Sequence, residues 1–300
     1  MKEKFLYSII IVTYNRLELL KECIDHAVKQ TIQPQKIIII DNCSTDGTKE
    51  FLLNNYYDNS LFEIIHETEN IGGAGGFEKG LRIAMEHKSD WFMLIDDDAI
   101  LNNECMYYMK PKIDSNRVLS YACTVVNKGE IDISHRRNDN VPVSLELYQD
   151  KEFRCNSATF CGLMINRKLV EKIGYPLKEY FIWYDDTEYC IRIIKHSPII
   201  VRSQAILNHK TLENNGENHL SWKSYYGTRN SIDCYIRHRK WICLCKLLRH
   251  KIRFVLNVLW AQENDSKNRK YMSSIYIDAI KDGICRKLGK NPKYLPGVKK

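Results

Sequence analysis

The feature that most constrains this chain is a series of short apolar runs separated by helical stretches. Tyr7 to Val12 and Ile37 to Ile40 are near-continuous β-branched runs, the mark of strands covered on both faces of a parallel sheet. Phe62 to Ile65 and Trp91 to Ile95 add two more. Between the first two, Leu17, Leu20, Ile24, Ala27 and Val28 recur at helical spacing, and Gln33-Pro34 closes the connection. Further helices are expected from about Lys49 and over Glu78 to Glu86. Strands alternating with helices through short loops predict a doubly wound, mostly parallel sheet for the first hundred residues. The pattern loosens between Asn102 and Asn156, where a mixed sheet edge and a variable insertion are expected. Thr159 to Ile165 and Ile199 to Val201 then read as strands, with helices over Arg167 to Gly174 and Ser221 to Arg237.

With 300 residues and 44% hydrophobic content the chain can bury a full core, as one large α/β domain or a domain with an appendage. Its 11 cysteines include no CxxC pair, which argues for reduced thiols rather than a disulfide scaffold or zinc site. Lys2 and Lys4 before Phe5 to Val12 mimic a signal peptide, but the run is short and β-branched and reads as a buried first strand. No segment is apolar and long enough to span a bilayer.

Charge is uneven. From Arg237 onward 17 Lys and Arg face four acids, a balance of +13, whereas the preceding 28 bases and 33 acids give −5. Such a basic tail suits nucleic acid or an anionic membrane surface, and composition alone does not choose. Trp241, Leu244, Cys245, Leu248, Ile252, Val255, Leu256 and Leu259 share one helical face, with Lys246, Arg249, Lys251 and Arg253 on the others. A basic amphipathic helix of this kind lies in a membrane interface; a core-packing helix with a solvated basic back has the same periodicity.

Chemistry concentrates in two acidic clusters. Asp96-Asp97-Asp98 follows the run Trp91 to Ile95. In extended backbone Asp96 and Asp98 would point one way and Asp97 the other. Two converging carboxylates call for a cation, and Mg2+ or Mn2+ prefers such oxygen donors; an acidic surface turn is the alternative. The end of a strand in an α/β sheet is where ligands bind. The second cluster is Trp183-Tyr184-Asp185-Asp186-Thr187-Glu188-Tyr189. Asp185 and Glu188 have the spacing of a capping box, which leaves Asp186 as the favoured general base and Asp185 as the alternative. Gly72-Gly73-Ala74-Gly75-Gly76 resembles a phosphate-cradling loop, without GxGxxG or Walker spacing, and equally suits a tight turn against a neighbouring strand. His209 follows a presumed strand and on spacing alone is an ordinary histidine.

Taken in order, Ile10-Ile11-Val12-Thr13-Tyr14-Asn15-Arg16, Asp41-Asn42-Cys43-Ser44-Thr45-Asp46-Gly47-Thr48 and Asp96-Asp97-Asp98 resemble the inverting nucleotide-sugar glycosyltransferases of the large second family, over about residues 5 to 237. The Asn70 to Phe77 and Trp183 to Tyr189 segments look like its galactofuranosyltransferase branch. The resemblance implies a GT-A fold, with a mostly parallel central sheet flanked by helices over residues 1–237 and a basic helical region over 238–300. It implies Mn2+ or Mg2+ on Asp96, Asp98 and His209, Asp186 as base, and Thr13, Asn15, Asp41, Asn70, Gly73 and Asp97 on the donor side. An imidazole ligand would tilt the choice toward Mn2+. Tyr225, Tyr226, Arg229 and Asn230 match a YYxxRN segment of unassigned role. The expected partners are a nucleotide-sugar donor, best UDP-galactofuranose, and a glycan or lipid-linked saccharide acceptor in cell-surface polysaccharide synthesis. The expected location is the inner, cytoplasmic face of the cell membrane, on anionic lipid, without nucleic acid. A donor such as dTDP-rhamnose is the runner-up, and a non-catalytic nucleic-acid or membrane binder the rival of another class. Tyr184 and the chain's small size depart from the best-known members.

Overall fold

The computed structural model describes residues 5–111, 117–210, 222–259 and 267–297. It divides into two compact units, Met1–Leu177 with Asp186–Leu212, and Lys178–Asp185 with Glu213–Lys300. This division does not coincide with the boundary expected at 237.

The first unit opens with strand, helix and strand in turn: β1 (Tyr7–Thr13), α1 (Leu17–Val28), β2 (Lys36–Asp41), α2 (Thr48–Tyr56), β3 (Phe62–His66), α3 (Gly72–Ala84) and β4 (Trp91–Asp96). These four strands pair in parallel, in the order β4-β1-β2-β3. Their register sets Val12 beside Asp96, Thr13 beside Asp41 and Asp41 beside His66, so the carboxyl ends lie level. The continuous apolar runs have the reason expected of them, since both faces are covered. Ile9 and Ile11 pack with Leu20, Ile24 and Ala27 of α1, while Ile10 and Val12 pack with Phe77, Leu81 and Ala84 of α3.

Next come β5 (Ala99–Leu101), α4 (Cys105–Met109), β6 (Ser120–Asn127) and β7 (Glu130–Ile131). A small side sheet holds β8 (Arg136–Asn138), β9 (Val141–Pro142) and, after β10 (Glu152–Cys155), β11 (Ser157–Ala158). The unit closes with β12 (Leu163–Asn166), α5 (Arg167–Ile173), α6 (Asp185–Ile193) and β13 (Ile199–His209). The main sheet continues from β4 through β12, β6 and β13 to β10, with β12 antiparallel to both neighbours. Beyond β4 the sheet is therefore mixed. β13 runs far past the expected Val201, because a register shift between Arg202 and Ile206 breaks its alternation in the sequence. It matters to the site: pairing Leu207 with Leu101 and His209 with Ala99 carries His209 to the turn after β4.

The expected glycine loop is helix. α3 begins at Gly72, not near Glu78, and its glycines let it lie close on β1. A Cβ on Gly76 would stand 2.5 Å from Val12 Cγ1, and one on Gly80 2.4 Å from Ile10 Cγ2.

In the second unit α7 (Lys223–Arg237), α8 (Trp241–Leu259) and α9 (Lys267–Ile284) enclose a core of Phe181, Tyr225, Tyr226, Met272, Ile275, Ala279 and Tyr294. Ser221, the expected first residue of α7, lies outside the described residues. Among the described residues no helix is long and apolar enough to cross a membrane.

Candidate active site

β4 stops at Asp96, and Asp97-Asp98 form a turn into β5. The alternation argument therefore ends one residue too early to apply, and it is Asp97 and Asp98, rather than Asp96 and Asp98, that share a cation. The cation is Arg16, whose Nη1 donates to Asp97 Oδ1 at 3.1 Å and to Asp98 Oδ2 at 2.5 Å. Buried Asp97 also accepts from Thr13 Oγ1 at 2.8 Å and from the Tyr14 amide at 3.4 Å. Asp97 thus ties the end of β1 to the end of β4, and the Thr13 hydroxyl is engaged with it.

His209 Nε2 stands 3.3 Å from Asp98 Oδ1, an ionic contact rather than an aligned hydrogen bond. The His209 ring meets His135 edge-on at 4.9 Å, and His135 in turn contacts Thr159 Oγ1 at 2.8 Å and Asp132 at 3.5 Å. Burial pushes the His135 imidazole down to about 3, so it stays neutral beside His209. His209 is moved the other way: burial would lower it, but Asp98 and then Asp96 raise it.

The carboxylates separate by environment. Burial, then repulsion from Asp98 and Asp97, raises Asp96 to about 7. Burial also raises Asp97, to about 6, against the pull of Arg16. In Asp98 burial is outweighed by His209 and Arg16, which hold it below the ordinary carboxylate range. Three acids thus face one guanidinium and one imidazole, a group short of positive charge. The Asp96 carboxylate accepts no hydrogen bond among the described residues, while its backbone carbonyl accepts from Cys23 Sγ.

Whether these residues suit a metal can be tested on their atoms. Asp98 Oδ1 and His209 Nδ1 are buried and lack hydrogen-bond partners, and carboxylate with imidazole is a donor set that Mn2+ accepts. Yet no three His, Cys, Asp or Glu side chains among the described residues form a ready-made metal cage. The donors fit in kind, while the expected trio of Asp96, Asp98 and His209 is not gathered as one.

The donor-side residues latch the first two loops together. Asn15, at φ +52°, donates its amide to Ser44 Oγ and accepts from the Thr45 amide at 2.7 Å. Asp46 accepts from the Leu17 amide at 2.9 Å. Asp41 is buried between the Ser44 amide and His66 Nδ1, each at 3.0 Å. Asn70 accepts from the Gly72 amide at 2.8 Å just ahead of α3, and Gly73 in the first turn has open space where a Cβ would stand. Hence Thr13, Asn15, Asp41 and Asn70 all have structural partners.

Asp186 lies on α6. Its carboxylate accepts from the Thr187 amide and hydroxyl, and burial raises its pKa against those bonds. Asp185 is buried. Glu188 is also buried, and its carboxylate accepts from Arg192 Nε and Nη2, an i,i+4 pair that stiffens the helix.

The YYxxRN segment has a structural role in the second unit. Asn230 Nδ2 donates to the carbonyls of Tyr180, Ile182 and Trp183 at 2.8–3.0 Å. Buried Arg229 reaches those of Glu179, Tyr180 and Gly289. Together they hold Phe181, Trp183 and Tyr184 at φ between +65° and +71°, the left-handed region. Sequence reasoning missed Arg16, His135 and this staple. Arg16 had a signal, since it follows a strand end in the adjacent register; His135 lay in a stretch read as variable.

The chain is similar to known proteins in sequence and in fold. The sequence profile described as glycosyl transferase family 2 matches residues 8–174. A galactofuranosyltransferase of Mycolicibacterium smegmatis is 33% identical over 90 residues, covering 30% of this chain and 29% of that one. A poly(ribitol-phosphate) beta-glucosyltransferase of Bacillus spizizenii is 33% identical over 105 residues, 33% of this chain and 16% of that one. The chain thus spans less than a third of either curated relative. The crystal structure of GalNAc-T7 with UDP, GalNAc and Mn2+ superposes with a TM-score of 0.62 at 15% identity, over 78% of this chain and 48% of that one. Its GT-A architecture is the one seen here, and with more than half of the residues under the family profile, the chain belongs to glycosyl transferase family 2.

Proposed function

We propose that this protein is an inverting glycosyltransferase that moves a hexose, best read as galactofuranose from UDP-galactofuranose, onto a glycan or lipid-linked saccharide in cell-surface polysaccharide synthesis. The observation that carries this reading is the carboxylate surplus of Asp96, Asp97 and Asp98 around Arg16 and His209, at the level ends of β1 and β4. A nucleoside diphosphate and its cation would complete that charge balance. The names of the two curated relatives support sugar transfer and differ over the sugar.

Asp98 and His209 would hold Mn2+ or Mg2+, which when bound offsets the diphosphate charge. Asp186 takes the proton of the acceptor hydroxyl, whose oxygen attacks the anomeric carbon opposite the leaving diphosphate. Asp97 and Thr13 keep the two strand ends in register while this occurs. The exposed basic and apolar residues of α8 support a place on the anionic inner surface of the cell membrane.

The test is a panel of nucleotide sugars with Mn2+ or Mg2+, scored for nucleoside diphosphate release. UDP-galactofuranose should give the highest rate; preference for dTDP-rhamnose would replace the donor, and silence with every donor would sink the reading. Asp186→Asn should bind donor normally and turn over about 10²–10⁴-fold more slowly.

A further inference from the structure

We propose that the second unit carries a binding pocket for an anionic saccharide, with Trp183 as its stacking platform and Lys251 as its anion anchor. A cavity of about 250 Å³ opens there between α7, α8, α9 and the Trp183-Tyr184 loop, with Ser224, Thr228 and Tyr276 also in its wall. This volume falls below the roughly 300–1,000 Å³ of sites for drug-sized ligands and suits one sugar ring better than a nucleotide.

The platform is built at a cost. Phe181, Trp183 and Tyr184 all have positive φ, the left-handed region in which a non-glycine residue is strained. Burial does not explain that cost for Trp183, whose side chain remains 46% exposed. Its ring is nevertheless seated firmly: a Cβ on Gly227 would come within 2.7 Å of Trp183 Cε3, so α7 offers bare backbone under the indole. Arg229 and Asn230 clamp the carbonyls behind it. A rigid, half-open aromatic face beside hydroxyls from Ser224 and Thr228, one helical turn apart, is how a protein holds a sugar's apolar face and its hydroxyls together.

The charge decides the class of sugar. Lys251 Nζ lies 4.0 Å from the Tyr276 ring centroid and has no acidic partner among the described residues. Among the described residues no carboxylate lines the cavity. A cation so placed is open to the phosphate or carboxylate of an acidic sugar. The inference rests on the glycosyl-transfer reading, in which such a sugar is the acceptor. Trp183 precedes Asp186 by three residues in the sequence.

Saturation-transfer NMR on the full chain tests this, with N-acetylglucosamine-1-phosphate, its methyl glycoside and inorganic phosphate as probes, each with and without UDP. The sugar phosphate should bind at least tenfold more tightly than the methyl glycoside, and UDP should not displace it. Trp183→Ala should weaken both sugars at least tenfold and Trp183→Phe much less, while Lys251→Gln should abolish only the preference for the phosphate. UDP binding should persist in all three variants, which also reports that they fold. Sugar binding unchanged by Trp183→Ala, displaced by UDP, or equally strong for inorganic phosphate alone overturns the pocket. If nucleoside diphosphate release survives that result, only the pocket falls; if the pocket binds while no donor turns over, the transferase reading falls instead.

Discussion

Arg16 Nη1 touches two carboxylates at once, and that contact explains why three consecutive aspartates survive at a strand end. The acids themselves were legible in the sequence, because a triplet after an apolar run has few other uses. Their pairing was not, since it depends on β4 ending at Asp96 and on an arginine from the adjacent strand's loop. The same scale governs the proposed base. A base works only when ionised, so a raised Asp186 pKa moves the loss of activity on acidification to a pH above the ordinary aspartate range. The Thr187 hydroxyl bonds the ionised form and opposes that rise. Thr187→Ala should therefore push the acid limb of the kcat profile upward, by about 1 pH unit for a charge-assisted bond of ~1.5 kcal/mol. The profile is read from nucleoside diphosphate release at saturating donor. An acid limb that stays in place would remove Asp186 from the role and return Asp185 to consideration.

At the scale of elements, β1, β2 and β4 were the most legible, because burial on two faces leaves no polar position to blur the run. α3 was not, since glycine costs a helix about 1 kcal/mol per residue relative to alanine and five small residues read as a loop. Close approach to β1 supplies what propensity lacks. Gly80 lets these opposing terms be weighed. Gly80→Ala gains about 1 kcal/mol of helix propensity but places a Cβ 2.4 Å from Ile10 Cγ2, in a core where overpacking costs about 1–3 kcal/mol. The variant should be destabilised in urea unfolding; a stabilised one would mean that α3 is free to lift from β1. In the second unit, Asp233 of α7 accepts from Tyr180, Arg237 and Arg286. Burial alone would raise its pKa, yet the bonds from Arg286, Tyr180 and Arg237 bring it below the usual value. Its stabilisation is therefore present above the unfolded pKa of about 3.9 and fades as pH falls through the lower folded value. Asp233→Ala leaves the buried Tyr180 hydroxyl without its acceptor while the exposed Arg237 and Arg286 stay solvated, and should cost about 1–3 kcal/mol, seen as a lower midpoint at neutral pH whose deficit shrinks in acid.

Across the whole molecule the charge asymmetry, −5 before Arg237 and +13 from it onward, was visible in composition, whereas which side of α8 faces water was not. Periodicity put Trp241, Leu244, Cys245, Leu248, Ile252, Val255, Leu256 and Leu259 on one face. The structure splits that set: Val255 is buried, while Trp241, Ile252 and Leu256 are exposed beside exposed Lys246, Arg249 and Arg253; outside it, Val258 is buried and Ile242 exposed. An apolar stripe left in water among bases is costly for a soluble surface and favourable at an anionic lipid interface, where each base near the surface contributes about 1 kcal/mol. The chain should therefore float with phosphatidylserine-containing liposomes and less with phosphatidylcholine alone, and rising salt should weaken the first without abolishing it. Ile242→Glu with Ile252→Glu removes the apolar part and adds repulsion, and should reduce flotation at least tenfold while a water-soluble acceptor is still glycosylated normally. Equal flotation by that double variant would shift the anchor away from α8, and equal binding to both lipid compositions would remove the basic residues from the account.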